Sequence, residues 1–472
     1  MRRLLKYILF AFTIISVFDS CAESDDFSSD PDLKLTFSCD TVRFDTVFTT
    51  IGSSTNTIQI YNRNNKSLRI ESIEIMNPHK SGFQMIIDGE SGTRLKNIDV
   101  LKKDSLYGFL RVTIDPLNIN NPLLIRDSIR FVTNGNVQYL YLEAIGRDVY
   151  KWNKKSITAD TVITAEKPIL IYDTLYLSPE ATLTIKEGTE LYFHNKASLQ
   201  AFGTLKAFGT IDKPIVFRGD RLDKMNGNVP YDNVPGQWDG IVFHPDSYNN
   251  YLENVIIKNA VIGMKFLPSD IQNKKASMIN TIIRNSSEKG MQASESHIEA
   301  MNCQFTNARK ALIDLSGGKY LFLHNTIANY YIWTMRVSES VKLRDKDEET
   351  NTPTIFAQCD FVNSIIYGSV SGEISIPDNA DGQNFKFMNC LIKSLKEYKD
   401  SHFVDDLWNQ NPQFKDINKT GNYHYDFSIL STSPAIGKAD KTYSSLIPFD
   451  IKGNSRFEDG NPDLGCYEQI EE

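Results

Sequence analysis

A six-residue phrase recurs along the second half of this chain, and it limits the possible folds more than any other feature. It begins at Asn254 (NVIIKN), Asn280 (NTIIRN), Asn302 (NCQFTN), Asn325 (NTIANY), Gln358 (QCDFVN) and Asn389 (NCLIKS), in steps of 26, 22, 23, 33 and 31 residues. A unit repeating at this length cannot bury an apolar face alone, so its copies must stack into a solenoid-like array. Each phrase alternates, which marks a strand. Positions two and four hold Val255/Ile257, Thr281/Ile283, Cys303/Phe305, Thr326/Ala328, Cys359/Phe361 and Cys390/Ile392. All are small or apolar and are expected to face inward. Position six holds Asn259, Asn285, Asn307 and Asn363, with Tyr330 and Ser394 departing. Stacked asparagines there would satisfy buried amides at a corner.

The pattern resembles the right-handed parallel β-helix of the pectin-lyase-like superfamily. The run SLQAFGTLKAFGTIDKPIVFRGD (198–220) is similar to the first coils of bacterial surface β-helices, with Gly203 and Gly209 allowing tight turns. Residues 219–237 form a polar loop, and Trp238-Asp239-Gly240-Ile241 re-enters the ladder. Residues 339–352 and 369–383 are insertions that account for the two long steps and are expected outside the strands. From Phe403 the ladder is expected to stop. Ser433-Pro434-Ala435-Ile436-Gly437, Asp450 to Arg456, and Pro462 to Glu468 match in order a choice-of-anchor Q type C-terminal region. That resemblance implies a structural cap over the open helix end, which otherwise exposes strand edges. Asp450, Arg456 and Asp463 are expected to form an ion-pair cluster fixing it; a catalytic carboxylate pair is the alternative.

Upstream, residues 33–148 carry alternating runs, among them Thr57–Tyr61, Leu68–Ile75, Phe109–Ile114, Ser128–Val132 and Val137–Ala144, separated by turns such as Asn134-Gly135. They read as a β-sandwich, and Leu142 to Asp148 resembles immunoglobulin-like modules of bacterial surface proteins. Residues 1–20 have the basic–apolar order of a secretory signal and end at Ser20-Cys21. This resembles a bacterial lipoprotein site, which implies lipid on Cys21; ordinary cleavage nearby is the alternative. The acidic stretch behind it, within the tether 21–32, resembles the surface-export signal of Bacteroidota lipoproteins. The expected class is therefore all-β: an immunoglobulin-like β-sandwich (33–148), a parallel β-helix (149–402) and a cap (403–472).

Chemistry is thinly signalled. A net charge of −8 argues against a nucleic-acid partner. No cysteine spacing fits a metal, and Cys303, Cys359 and Cys390 are expected to be buried, reduced and in one inward column. Asp220, Asp223, Asp232 and Asp239 around the polar loop suit turn chemistry better than calcium. The seven histidines do not cluster, and His297 and His324 are expected at the surface or in turns. Lys258, Arg284 and Lys393 share position five, so Lys258 and Arg284 should stack on adjacent coils; such a stripe grips an acidic glycan or is merely a solvated face. Trp333 and Arg336 in NYYIWTMR offer a ring and a guanidinium to a sugar, unless the aromatics lie in the core. The expectation is a non-catalytic surface lipoprotein of the outer membrane, without cofactor, displaying a β-helix to polysaccharide or surface proteins. The alternative is a lyase or hydrolase acting on an acidic glycan.

Overall fold

The computed structural model describes residues 26–470 except 117, 118, 120, 121, 226–228, 337, 378, 379 and 381. Cys21 and the signal-like segment lie outside the described residues. The chain divides into two compact units, one ending at Asp148 and one starting at Val149.

In the first unit, alternating runs become strands with one buried face, as in Leu68–Ile75 and Phe83–Ile87. Two five-stranded sheets result. One runs Thr36–Phe37, Asn56–Tyr61, Ser105–Val112, Phe83–Ile87, Glu90–Gly92; the other runs Thr41–Phe48, Asn136–Arg147, Leu123–Thr133, Leu68–Ile75, Arg94–Val100. Ile58, Ile60, Leu110 and Val112 from the first meet Ile70, Ile73, Phe131 and Leu140 from the second in one core. Period-two alternation supplies both faces, so no disulfide is needed to join them.

The second unit consists of three long parallel sheets of 11, 9 and 10 strands that the chain visits in rotation, consistent with a parallel β-helix. The first begins at Tyr150–Asn153, the second at Ser156–Ile157 and the third at Thr161–Ile163. Successive coils place like over like. In the third sheet Phe322, Phe361, Phe387 and Phe403 stack with centroids 4.6, 4.9 and 5.1 Å apart, which is the spacing of neighbouring strands.

The phrases at Asn254, Asn280, Asn302 and Asn389 lie in the first sheet, as their alternation requires. Two others differ from the expectation. The fourth phrase starts one residue earlier, because Thr326 pairs with Gln304 and Ile327 with Phe305. Its leading residue is therefore His324, and its inward pair is Asn325 and Ile327. Gln358–Asn363 straddles strand Phe356–Val362 of the third sheet; the first-sheet strand of that coil is Ile365–Gly368. Cys359 accordingly lies between Tyr320 and Phe385 of the neighbouring coils, away from the column of Cys303 and Cys390, though all three thiols are free and buried.

The corner before the first sheet explains the asparagines. Asn254, Asn280, Asn302, His324, Asn363 and Asn389 all have φ between 50° and 58°, the left-handed region that asparagine tolerates best after glycine. Asn280 Nδ2 donates to Asn254 Oδ1 at 3.3 Å, and Asn302 Nδ2 to Asn280 Oδ1 at 2.6 Å. At the far corner, Asn259, Asn285 and Asn307 are followed by Asn329, not Tyr330. Gly368 completes that column because an added Cβ would lie 2.3 Å from Glu373 Oε1 and 2.6 Å from Asn329 O.

Both insertions contain a strand of the second sheet, Val341–Arg344 and Ile374–Ser375. Beyond the first of these, Glu348 and Glu349 fold back onto Lys289 and Lys265. The ladder also continues past residue 402: Phe403–Val404 pairs with Phe387–Met388, and Leu407–Trp408 with Leu391–Ile392. The remaining C-terminal segment packs along the outer flank of the first sheet. There Phe414, Phe427, Ala435, Ile451, Leu464 and Cys466 meet Ala328, Ile365 and Leu391.

Candidate functional site

The outward face of the first sheet carries a basic ladder. Lys258 and Arg284 are directly paired across adjacent strands, and Arg218 extends the row one coil earlier, next to the paired Phe217 and Ile257. Neighbouring parallel strands lie about 4.8 Å apart, so three cations are held close together. One carboxylate serves them. Lys258 Nζ is 2.6 Å and Arg218 Nη1 2.8 Å from Asp232 Oδ1, and Arg284 Nη2 is 3.9 Å from Oδ2.

Asp232 reaches this position because the polar loop is tied down. It sits in the 3-10 turn Tyr231–Asn233. Asn259 Nδ2 donates to Asp232 O at 2.9 Å and Val234 O at 3.0 Å, so the far asparagine column also anchors the loop. Trp238, fully buried against Phe193, closes it by donating Nε1–H to Lys258 O at 2.9 Å. The other loop aspartates serve different partners: Asp220 meets His194 and Asp223 meets Arg221.

Electrostatics follows from three cations sharing one anion: Lys258 is buried, while the side chains of Arg284 and Asp232 stay 34% and 36% exposed. Burial alone would raise the Asp232 carboxyl, but Arg218, Lys258 and Arg284 hold it below the ordinary carboxylate range. Burial, with Arg284 and Arg218 adding repulsion, pulls the Lys258 ammonium down to about 8 despite Asp232. Arg284 also feels Tyr467, whose hydroxyl donates to Gln304 Oε1 at 2.6 Å. The ladder thus lies where the polar loop ends and the C-terminal segment begins.

Other expected site residues are placed differently. Arg336 is buried, with Nη1 at 2.8 Å from Glu373 Oε1 and Nη2 on Oε2, and it also donates to Asn329 O at 2.8 Å. Its guanidinium faces protein on all these bonds and is not presented to a ligand. Trp333 is half-buried and stacked on Tyr423 at 5.3 Å. Lys393 lies over the Tyr367 ring and donates to Gly368 O, remote from the ladder. Asp450, Arg456 and Asp463 are all buried, but they do not pair with one another. Arg456 pairs with Glu468 and donates to Asn302 Oδ1 at 2.6 Å. Asp450 accepts the backbone N–H of Lys452, Asn454 and Glu468; Asp463 accepts those of Gly437 and Gln469. His324 is fully buried, not exposed, bonded to Ser444 Oγ and Gly465 O. Arg218 was missed because its strand carries no leading asparagine; its signal was an arginine at the outward place of IVFRG.

No family model matches the chain, and no curated protein matches it. Among solved structures, the ASH/PapD-like domain of human CEP192 is 8% identical, covering 25% of this chain and 88% of that one at a TM-score of 0.18. A family 123 glycoside hydrolase from Clostridium perfringens is 7% identical, covering 26% of this chain and 30% of that one at 0.17. The periplasmic chaperone SfaE is 12% identical, covering 24% and 58% at 0.16. These likenesses are too slight to bear on function.

Proposed function

We propose that this chain is a lipid-anchored protein of the outer membrane, facing outward, that displays a right-handed β-helix to bind an acidic glycan without cleaving it. On this proposal Cys21 carries the lipid, the first unit is an immunoglobulin-like spacer, and the C-terminal segment is of the choice-of-anchor Q type. The supporting observation is the ladder of Arg218, Lys258 and Arg284 around the single carboxylate of Asp232. The excess positive charge suits a carboxylate or sulfate. Among the described residues one carboxylate meets the ladder, and a single carboxylate gives no acid–base pair of the kind hydrolysis uses.

A second reading has one observation in its favour. An amine drawn down to about 8 is a proton acceptor poised near neutral pH, so Lys258 could serve as the base of a polysaccharide lyase while Arg218 and Arg284 neutralise a uronate. One screen separates the two. Acidic and neutral polysaccharides are tested for binding and for ultraviolet absorbance of an unsaturated product, with wild type and a Lys258→Met/Arg284→Met variant. Binding of an acidic glycan without product, weakened at least tenfold in the variant, is expected. Product that vanishes in the variant would establish the lyase; unchanged binding would remove the ladder from either role. Fatty-acid labelling that persists in Cys21→Ala would remove the anchor.

A further inference from the structure

The first unit holds a concavity of about 600 Å³ on the outer face of its Asn56–Tyr61 sheet, away from the shared core. Its floor is apolar. Phe109 and Ile86 stand directly opposite one another on paired strands and remain 42% and 39% exposed. Two residues further along the same strand, hence on the same face, comes Arg111, with Gln84 opposite it. Thr55 and Thr93 add hydroxyl groups to the wall. Arg111 is steered from one side: its Nε donates to Thr55 Oγ1 at 2.6 Å. Among the described residues no carboxylate pairs with it. That sets it apart from Arg43, Arg69, Arg126 and Arg130 of the same unit, which meet Glu143, Asp99, Glu143 and Glu74.

We propose that this concavity binds an anionic pyranose, a sugar ring carrying a carboxylate or a sulfate. The ring's C–H face packs on Phe109 and Ile86, as sugars do on exposed aromatic groups. Its anion meets the outer nitrogens of the Arg111 guanidinium, whose fork matches two oxygens at once. Its hydroxyl groups exchange hydrogen bonds with Gln84 and Thr93, side chains that both donate and accept. Volume, apolar floor and a few convergent polar groups are what a small-ligand site needs. This site lies in a different unit from the basic ladder and does not depend on it.

The test uses the chain from residue 22 onward and calorimetric titration with three oligosaccharides of matched length: uronate-containing, sulfated and neutral. Wild type should bind the uronate or the sulfated sugar at least tenfold more tightly than the neutral one, and which of the two it prefers identifies the anion. Phe109→Ala and Arg111→Gln should each lose at least tenfold with the melting temperature unchanged, since both side chains are exposed. The two substitutions are read in the Lys258→Met/Arg284→Met background, where the ladder's own glycan binding is removed and binding at the concavity should persist. The proposal is overturned if no anionic sugar binds, if neutral sugar binds equally, or if the two variants bind like wild type. Acidic-glycan binding lost in the Lys258/Arg284 variant but intact in Phe109→Ala would overturn it while leaving the ladder's role standing.

Discussion

Replacing Arg336 with alanine distinguishes a buried ion pair from a sugar-gripping side chain. In the native structure Glu373 is fully buried, and Arg336 donates both Nη groups to its two oxygens. After the change Glu373 keeps, among the described residues, Ser340 Oγ at 2.6 Å and the Val370 N–H at 3.2 Å. Asn329 O loses its 2.8 Å donor as well. Removing one partner of a buried pair costs about 3–5 kcal/mol, because the other charge stays behind uncompensated. The second unit runs from Val149 to Glu472, so its melting entropy, taken as roughly 2.1 cal/mol/K per residue, is about 0.7 kcal/mol/K. The melting temperature should therefore fall by about 4–7 °C, with faster hydrogen exchange around residues 329–340. An Arg336→Met/Glu373→Leu double variant should recover most of the loss, since an apolar pair of similar volume is often neutral or better. A scan by calorimetry with exchange mass spectrometry reads both effects. Arg336→Ala that melts within a degree of wild type, yet loses glycan binding, would refute the structural assignment.

Two further outcomes follow from buried groups. Burial holds His324 well below the ordinary histidine value of 6.5, so the unfolded chain takes up a proton there that the folded chain refuses. The stability His324 contributes is present above about 6.5 and is lost as pH falls below it; melting measured from pH 7 down to 5 should show this slope, and His324→Asn, which suits the left-handed corner, should flatten it, whereas an unchanged slope would place the proton elsewhere. Arg456→Ala should loosen the C-terminal segment by about 1–3 kcal/mol, because the fully buried guanidinium ties Glu468 to Asn302 Oδ1 of the first sheet and its loss leaves buried acceptors without a donor; limited proteolysis should cut within 433–470 first, and a variant as protease-resistant as wild type would contradict this.

The parts of the fold legible in the sequence were those with a local cause. Alternation exposes strands, and asparagine at a left-handed corner marks where each begins. The same cue misled at the fourth coil, where His324 takes the corner and the neighbouring Asn325 looks like the start. At Gln358 the alternation was real but belonged to the third sheet, since a period of two does not say which of three sheets a strand joins. The Lys258–Arg284 pairing was legible from coil spacing; Asp232 as their shared partner was not, because it arrives through a loop whose path depends on Asn259 and Trp238. The docking of the C-terminal segment left a trace that charge alone concealed. In the column of Lys258 and Arg284 the next outward positions are Thr306, Ala328 and Tyr367, and in the neighbouring outward column Ile365 stacks on Leu391; apolar groups so placed in water call for a cover.

That cover touches several coils at once: Tyr467 holds Gln304, Cys466 holds Thr326, Gly465 holds Asn363, and the packing extends to Leu407. In a plain stack each coil knows only its neighbours, and coils can be gained or lost one at a time. Here the clasp acts as a ruler laid against the stack. Duplicating or deleting a coil between Gln304 and Leu407 would shift every contact beyond it by one strand spacing, while a coil added ahead of Arg218 would shift none. A change in coil number is thereby compatible with these contacts ahead of Arg218, while the portion under the clasp accommodates added length in its outer loops, as it does after Arg344 and Gly368.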